Sequence, residues 1–296
     1  MAETETGAGA GAGKEVVLVT GCTPGGIGHA MAMEFAHMKC QVVATARSFS
    51  SLEALRTNAQ VALHTVQLDV LSETSIEEAV RTVMDMYGRI DILVNNAGVH
   101  SVGPLAELPM ELLQSTFNTN VFGTMQVIKA VVPHMASRRK GKIVNIGSVS
   151  VLVCNPWAGA YAASKAALHC LSDSLRVELK PFGIDVITVV PGAIKSNLGY
   201  NSSTIYSNLP EWRLYKPFEK AIRERIDIFQ KNDCTPTNVF AKKTVDILLR
   251  RKSPPWFSYG QFSIITSIMY YLPICLRDFI ARRVYKVSTL ENVKDK

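Results

Sequence analysis

Val16-Val17-Leu18-Val19-Thr20-Gly21-Cys22-Thr23-Pro24-Gly25-Gly26-Ile27-Gly28 is the stretch whose reading decides the fold. Four consecutive apolar residues, mostly β-branched, predict a strand buried on both faces. The glycines that follow predict a tight turn, and Ala30, Met33, Phe35 and Ala36 continue beyond it with helical spacing. Strand, glycine turn and helix together form a phosphate site: backbone without Cβ approaches a pyrophosphate closely, and a helix N-terminus favours its negative charge. Gly21, Thr23, Gly26, Ile27 and Gly28 are thus the first candidate cofactor contacts. A glycine loop taken alone is as easily a plain turn, so the rest of the chain has to decide.

Further strands are predicted over Gln41–Ala46, Leu63–Leu68, Ile90–Val94, Lys142–Ile146 and Ile184–Val190. Helices alternate with them: Ser75–Met86, with an apolar face of Ile76, Ala79, Val80 and Val83; a long one from Met110 to Met135; one carrying Tyr161 and ending near Leu179; and Val239–Arg251. Repeated βα units predict an α/β fold with a doubly wound parallel sheet, a Rossmann fold, whose ligands lie at the carboxyl ends of the strands. The polar and glycine punctuation falls at those ends. Arg47 follows the second strand, with no Asp or Glu at 45 or 46. A ribose 2′-hydroxyl usually meets an acid here, whereas an arginine suits a 2′-phosphate, so NADP(H) is the expected cofactor unless Arg47 is merely solvated. Asp69-Val70 ends the third strand; Asp69 would bond an adenine amino group or cap its own turn. Asn95-Asn96-Ala97-Gly98 ends the fourth, where small and amide residues pass close to a cofactor and tie strands together. Gly147-Ser148 and Pro191-Gly192 end the fifth and sixth. Asn120 lies inside the long helix and, as a poor helix former, needs a polar reason for its place.

In Tyr161-Ala162-Ala163-Ser164-Lys165 a phenol and an ammonium fall four apart, on one helix face. A nearby cation favours phenolate, and a phenol so tuned exchanges a proton with a carbonyl or alcohol oxygen. An ordinary helical pair has the same spacing; the clustering of every other candidate at strand ends is what favours chemistry.

With 296 residues and 47% hydrophobic content, the chain suits one α/β domain with a tail, or two small domains. Net charge is +7, which reads as a solvated basic surface, an anionic ligand or an acidic membrane face. No nucleic-acid module is present in the sequence. Cys22, Cys40, Cys154, Cys170, Cys234 and Cys275 show neither CxxC nor framework spacing; they read as reduced, mainly structural thiols in a cytosolic compartment, with no metal site.

The loop TG…GIG, NNAG, the helical asparagine, a serine thirteen residues before the tyrosine, YxxxK and the PG turn together resemble the short-chain dehydrogenase/reductase family over about residues 14–260. The resemblance implies a catalytic tetrad of Asn120, Ser148, Tyr161 and Lys165, with Gly21, Thr23, Gly26, Ile27, Gly28, Arg47, Asp69, Val70, Asn96, Ala97, Gly98, Pro191 and Gly192 around the cofactor. It implies hydride transfer between a nicotinamide and a carbonyl carbon. Tyr161 would donate the proton and Ser148 would bond the substrate oxygen. Lys165 would lower the phenol's pKa and grip the ribose, and Asn120 would hold a water leading to solvent. A phenol ionising near ~10 must then come down to roughly 7–8, about 3–4 kcal/mol of differential stabilisation. The loop carries one residue more than TGxxxGxG, and TGCTPGGIG is similar to the form in the NADPH-dependent 1-acyldihydroxyacetone-phosphate reductase-like group.

Residues 1–13, rich in Gly and Ala, are expected to form a disordered arm and not a targeting peptide. The βα rhythm breaks between 193 and 236, where Leu198, Tyr200, Ile205, Tyr206, Leu209, Trp212, Tyr215 and Phe218 predict either a lid over a lipophilic substrate or a cover for the main core. A last strand is expected within 254–260. Residues 254–276 contain no charge, and Arg277, Arg282, Arg283 and Lys286 follow. With Pro273 and several hydroxyls inside it, this apolar extension (261–296) reads as an interfacial membrane segment, or as a tail packed on the core or on a second subunit. The expected substrate is a small lipophilic ketone or alcohol, acyl-dihydroxyacetone phosphate among them, met at the cytoplasmic side of the endoplasmic reticulum, at a lipid droplet, or in the cytosol. Lys195, Arg213 and Lys216 are the candidate cations for a phosphate on it. A steroid, terpenoid or retinoid alcohol dehydrogenase, and a low-turnover NADP-binding membrane scaffold, are the alternatives. The long helices offer a face for a homodimer or homotetramer.

Overall fold

The structure, a computed structural model, describes residues 14–57, 63–198, 206–207, 209, 211–226 and 233–287. The segments expected as an N-terminal arm, and Tyr200 and Ile205 of the lid, lie outside them. The strands are β1 Val16–Val19, β2 Gln41–Ala46, β3 His64–Gln67, β4 Ile92–Asn95, β5 Gly141–Ile146, β6 Ile184–Pro191 and β9 Trp256–Tyr259. They form one parallel sheet in the order β3-β2-β1-β4-β5-β6-β9. A two-residue pair, β7 Ile194–Lys195 with β8 Thr235–Pro236, brackets the segment that leaves the sheet.

Alternation along β1 sets the two layers. Val17 and Val19 pack with Met31 and Phe35 of α1 (Ile27–His37) and with Phe240 and Val245 of α8 (Thr237–Leu248). Val16 and Leu18 point the other way, onto Ile76 and Val80 of α3 (Glu73–Tyr87) and Val127 and Val131 of α5 (Thr124–Ser137). This is the period of two expected when both faces of a sheet are covered. Helix α3 starts on a cap, Ser72 Oγ accepting from Ser75 N at 3.2 Å, and stops at Gly88 in the left-handed region.

One expectation changes, and two other segments take definite form. The single helix over 110–135 is broken: α4 (Met110–Phe117) passes into a π-helical turn, Asn118–Gly123, before α5. The wider turn swings Asn120 inward, and π turns of this kind concentrate at functional sites. The aromatics of the excursion form a cluster apart from the two sheet-covering cores: Tyr206, Trp212, Tyr215 and Phe218 join Val102, Trp157 and Ile222, with Ile222 on α7 (Glu219–Ile226). The apolar extension is two short helices, α9 Ser263–Met269 and α10 Ile274–Val284, parted at Pro273. No described helix is long and apolar enough to cross a membrane.

Candidate active site

The strand order reverses beside β1, where β2 lies on one side and β4 on the other. A cleft with about 1210 Å³ of empty space opens there, at the carboxyl ends of the strands. Of the residues singled out in the sequence, it is lined by Gly21, Thr23, Gly26, Ile27, Arg47, Val70, Asn96, Ala97, Gly98, Ser148, Tyr161, Lys165, Pro191 and Gly192.

At the β1 end the loop is stitched to β4. Thr20 Oγ1 accepts from the Asn96 and Ala97 N–H groups at 3.0 Å, and Asn96 Nδ2 donates to Thr20 O at 2.9 Å and Gly21 O at 3.0 Å. Gly21 has φ +72°, and a Cβ there would lie 2.7 Å from Ala97 Cα. Only glycine keeps this floor flat beneath a ligand. Helix α1 begins here with no acidic residue in its first turn, so its positive end is uncompensated. Arg47 is exposed at the β2 end and is followed by Ser48, whose hydroxyl pairs with those of Ser50 and Ser51. A floor without side chains, a bare helix N-terminus and a terminal arginine fit a phosphorylated dinucleotide.

Three predicted residues sit elsewhere. Gly28 lies below the floor, where a Cβ would meet Asn96 Nδ2 at 2.3 Å, so it serves helix-to-loop packing. Asp69 does not line the cleft: its Oδ1 accepts from Leu71 N at 3.0 Å, capping its own turn. Asn120 is buried behind the wall: Oδ1 accepts from Val99 N at 2.8 Å, and Nδ2 donates to Val99 O at 3.0 Å and Ser164 Oγ at 2.9 Å. Its polar reason is a clasp on the loop after β4.

Tyr161 and Lys165 project from α6 (Gly159–Glu178), and both are buried. Lys165 Nζ donates to Ile146 O at 2.8 Å and lies 5.9 Å from the Tyr161 ring centre. Burial lowers the lysine to about 8. The phenol moves opposite to the sequence-based expectation: burial raises its pKa, while the Ser148 hydroxyl and the Arg225 charge pull it down less strongly. The dry surroundings that lower the lysine raise the phenol, so the tyrosine keeps its proton at neutral pH.

Two histidines pack behind the wall, and neither stands out in the sequence. The His100 ring stands edge-on to Tyr161, 4.6 Å between centroids; burial, then the Arg225 charge, keeps it neutral. His169 Nε2 accepts from Ser148 N at 3.3 Å, and burial followed by the Lys165 charge lowers it to about 4. A Cβ at Gly147 would lie 2.0 Å from that nitrogen, which is why glycine precedes Ser148. His169 falls four residues after Lys165, a helical spacing that marks it in retrospect. Asn197 is a further addition: it lines the cleft and donates from Nδ2 to Pro24 O at 2.7 Å, joining the excursion to the glycine loop. Lys195, Arg213 and Lys216, the expected cations for a substrate anion, are exposed and do not line the cleft, and Lys216 faces Glu211 at 3.7 Å.

Residues 15–205 match the model of the family described as short chain dehydrogenase. The chain belongs to that family. Its members are oxidoreductases of alcohol and ketone groups with a nucleotide cofactor, and this enzyme is one of them. It is 31% identical to a short-chain dehydrogenase of Pyricularia oryzae over 94% of this chain and 97% of the relative. It is 34% identical to an NADPH-dependent 1-acyldihydroxyacetone phosphate reductase of Schizosaccharomyces pombe over 74% of this chain and 73% of the relative. Among solved structures, a short-chain dehydrogenase from Streptomyces avermitilis superposes with a TM-score of 0.76 at 27% identity, covering 95% of this chain and 100% of that one. A serine dehydrogenase complexed with NADP+ superposes at 0.69, with 25% identity, 83% of this chain and 94% of that one covered.

Proposed function

We propose that the enzyme reduces a ketone on a lipid-like substrate with NADPH, at a membrane surface. The observation that carries the reading is a single cleft with Arg47 at one end and the Ser148, Tyr161 and Lys165 side chains at the other. Arg47 would hold the 2′-phosphate, the glycine floor and the α1 N-terminus the pyrophosphate, and Lys165 the ribose hydroxyls next to the nicotinamide. A bound nicotinamide supplies the hydride. Tyr161 hands its proton to the ketone oxygen as charge develops there, and Ser148 donates a hydrogen bond to the same oxygen. A phenol held protonated by burial is the form that reduction requires. Ser148 and Arg225 then stabilise the phenolate left behind. The tetrad role of Asn120 in this reading is to fix the loop that carries His100.

The lipid-like substrate is supported by Leu198 at the cleft and by the aromatic cluster beyond it. It accords with the printed activity of the Schizosaccharomyces pombe relative. The membrane is supported by α9 and α10: Ile264 is 77% exposed, Tyr271 85% and Ile274 67%, with Arg282, Arg283 and Lys286 exposed just beyond. Apolar side chains of this density next to cations suit an anionic lipid interface, such as the endoplasmic reticulum or a lipid droplet. NADPH oxidation by the purified full-length protein, with 1-acyl-dihydroxyacetone phosphate in vesicles, tests the reading. No turnover with this or any other acyl ketone, in the presence of tightly bound NADPH, would leave the scaffold alternative standing.

A further inference from the structure

Arg225 is the buried cation that the reaction as described does not need as a contact. It stands on α7, inside the excursion, with 8% of its surface exposed. Its Nη2 donates to Asn155 Oδ1 at 2.7 Å, and its guanidinium lies over the Tyr285 ring at 5.5 Å. Tyr285 OH donates to the same Asn155 Oδ1 at 3.3 Å, and Trp157 Nε1 donates to Tyr285 O at 3.3 Å. The excursion, the loop after Ser148 and the C-terminal extension therefore meet on this one side chain. Its Nε is buried with no hydrogen-bond partner, and among the described residues no carboxylate pairs with it. Among the described residues the guanidinium faces one amide oxygen and a ring, which leaves its Nε donor and its charge short of partners. It does not line the cleft itself but lies behind its substrate end. Asn155 Nδ2 donates to Ser150 O at 3.5 Å, and Ser150 N to Ser148 Oγ at 3.1 Å, which puts Arg225 three hydrogen-bonded links from the serine beside the reacting oxygen. Its charge also reaches Tyr161 and His100.

We propose that Arg225 is the specificity residue that binds an anionic group, a phosphate or carboxylate, carried by the substrate on the far side of its ketone. Resting on the reductase reading, this narrows the substrate to an acidic ketone with an apolar chain. An anion there would take the Nε donor and offset a charge that has no carboxylate partner among the described residues. It would do so among buried groups, where a charge-assisted, two-pronged contact is strongest. Arginine suits this better than the exposed lysines named from sequence, since its planar donor array is already held by Asn155 and Tyr285.

The test is equilibrium binding to the NADP+-loaded full chain, followed by the fluorescence of Trp157 and Trp212, so no turnover is needed. The probes are 1-hexanoyl-dihydroxyacetone phosphate and its dephosphorylated analogue, in the absence of vesicles. The wild type should bind the phosphate ester more tightly by a ratio on the order of 10- to 100-fold, and inorganic phosphate should displace it. Arg225→Gln should collapse the ratio towards one, and Arg225→Lys should retain part of it. A wild-type ratio near one overturns the proposal, as does a ratio unchanged in Arg225→Gln. If that variant does not fold, as judged by its thermal transition, the wild-type ratio and the Arg225→Lys ratio decide. Arg225 dependence seen only with phosphatidic acid vesicles would assign the anion to a lipid headgroup, and also overturns it. Failure of NADPH oxidation with every ketone sinks the reductase reading separately, since these affinities stand without chemistry.

Discussion

Replacing Asn120 by alanine separates a proton relay from a structural clasp. The side chain makes three hydrogen bonds, at 2.8 and 3.0 Å to the two backbone groups of Val99 and at 2.9 Å to Ser164 Oγ. Each such bond contributes about 1 kcal/mol net, and more where a buried group is left unpaired. The unfilled space adds up to about 1 kcal/mol. Alanine regains about 0.6 kcal/mol of helix propensity over asparagine. The variant should therefore be less stable by about 2–4 kcal/mol, a fall in Tm of roughly 3–6 °C for a chain of this size. Urea unfolding followed by tryptophan fluorescence, extrapolated linearly, gives the difference directly. Activity should fall as well, because the freed loop carries His100, whose ring packs on Tyr161 at 4.6 Å. A variant with unaltered stability, to within about 0.5 kcal/mol, and abolished turnover would refute the clasp and restore the water-holding role implied by the resemblance.

Tyr161→Phe removes the proton donor, and kcat should drop by about 10²- to 10⁴-fold while NADPH titration shows unchanged affinity. Lys165 titrates at about 8 in the folded chain against 10.5 for a free lysine, so the unfolded state holds more protons between those values and stability should rise with pH across that window. Lys165→Met should lack that rise, as read from the difference between the two stability–pH curves. Arg47→Ala should lose on the order of 10-fold of the preference for NADPH over NADH, a modest figure because the guanidinium is exposed to solvent; equal Kd ratios in both proteins would remove its role. Ile264→Asp with Ile268→Asp should weaken sedimentation with phosphatidylserine vesicles by more than about 10-fold, since each buried carboxylate opposes interfacial burial, with NADPH affinity unchanged.

The glycine turn after β1 and the tyrosine–lysine spacing on α6 could be read directly, because contiguous residues encode strand and helix periods. So could the clustering of Arg47, Asn96, Ser148 and Pro191 at strand ends, once parallel topology follows from repeated βα units. Residues that point into the cleft were less legible than residues near it. Asp69 and Gly28 lie at the expected strand and turn, yet one caps Leu71 and the other packs under Asn96. The helix over 110–135 has an apolar period that hides its π turn, since one added residue per turn leaves composition unaltered. Of the six cysteines, Cys22, Cys40 and Cys234 are buried, but Cys154, Cys170 and Cys275 are exposed, so only half belong to the core.

The sequence by itself determined the alternation of elements, the family and the helix face that carries Tyr161 and Lys165, for these depend on spacing within a few turns of chain. Only the tertiary structure decided which charges are dry and which are paired. Tyr161 holds its proton because distant segments bury it, and Arg225 becomes significant because Asn155, 70 residues away, and the extension that supplies Tyr285, 130 residues beyond Asn155, close around it. Desolvation and pairing belong to contacts between remote residues, and no local pattern carries them.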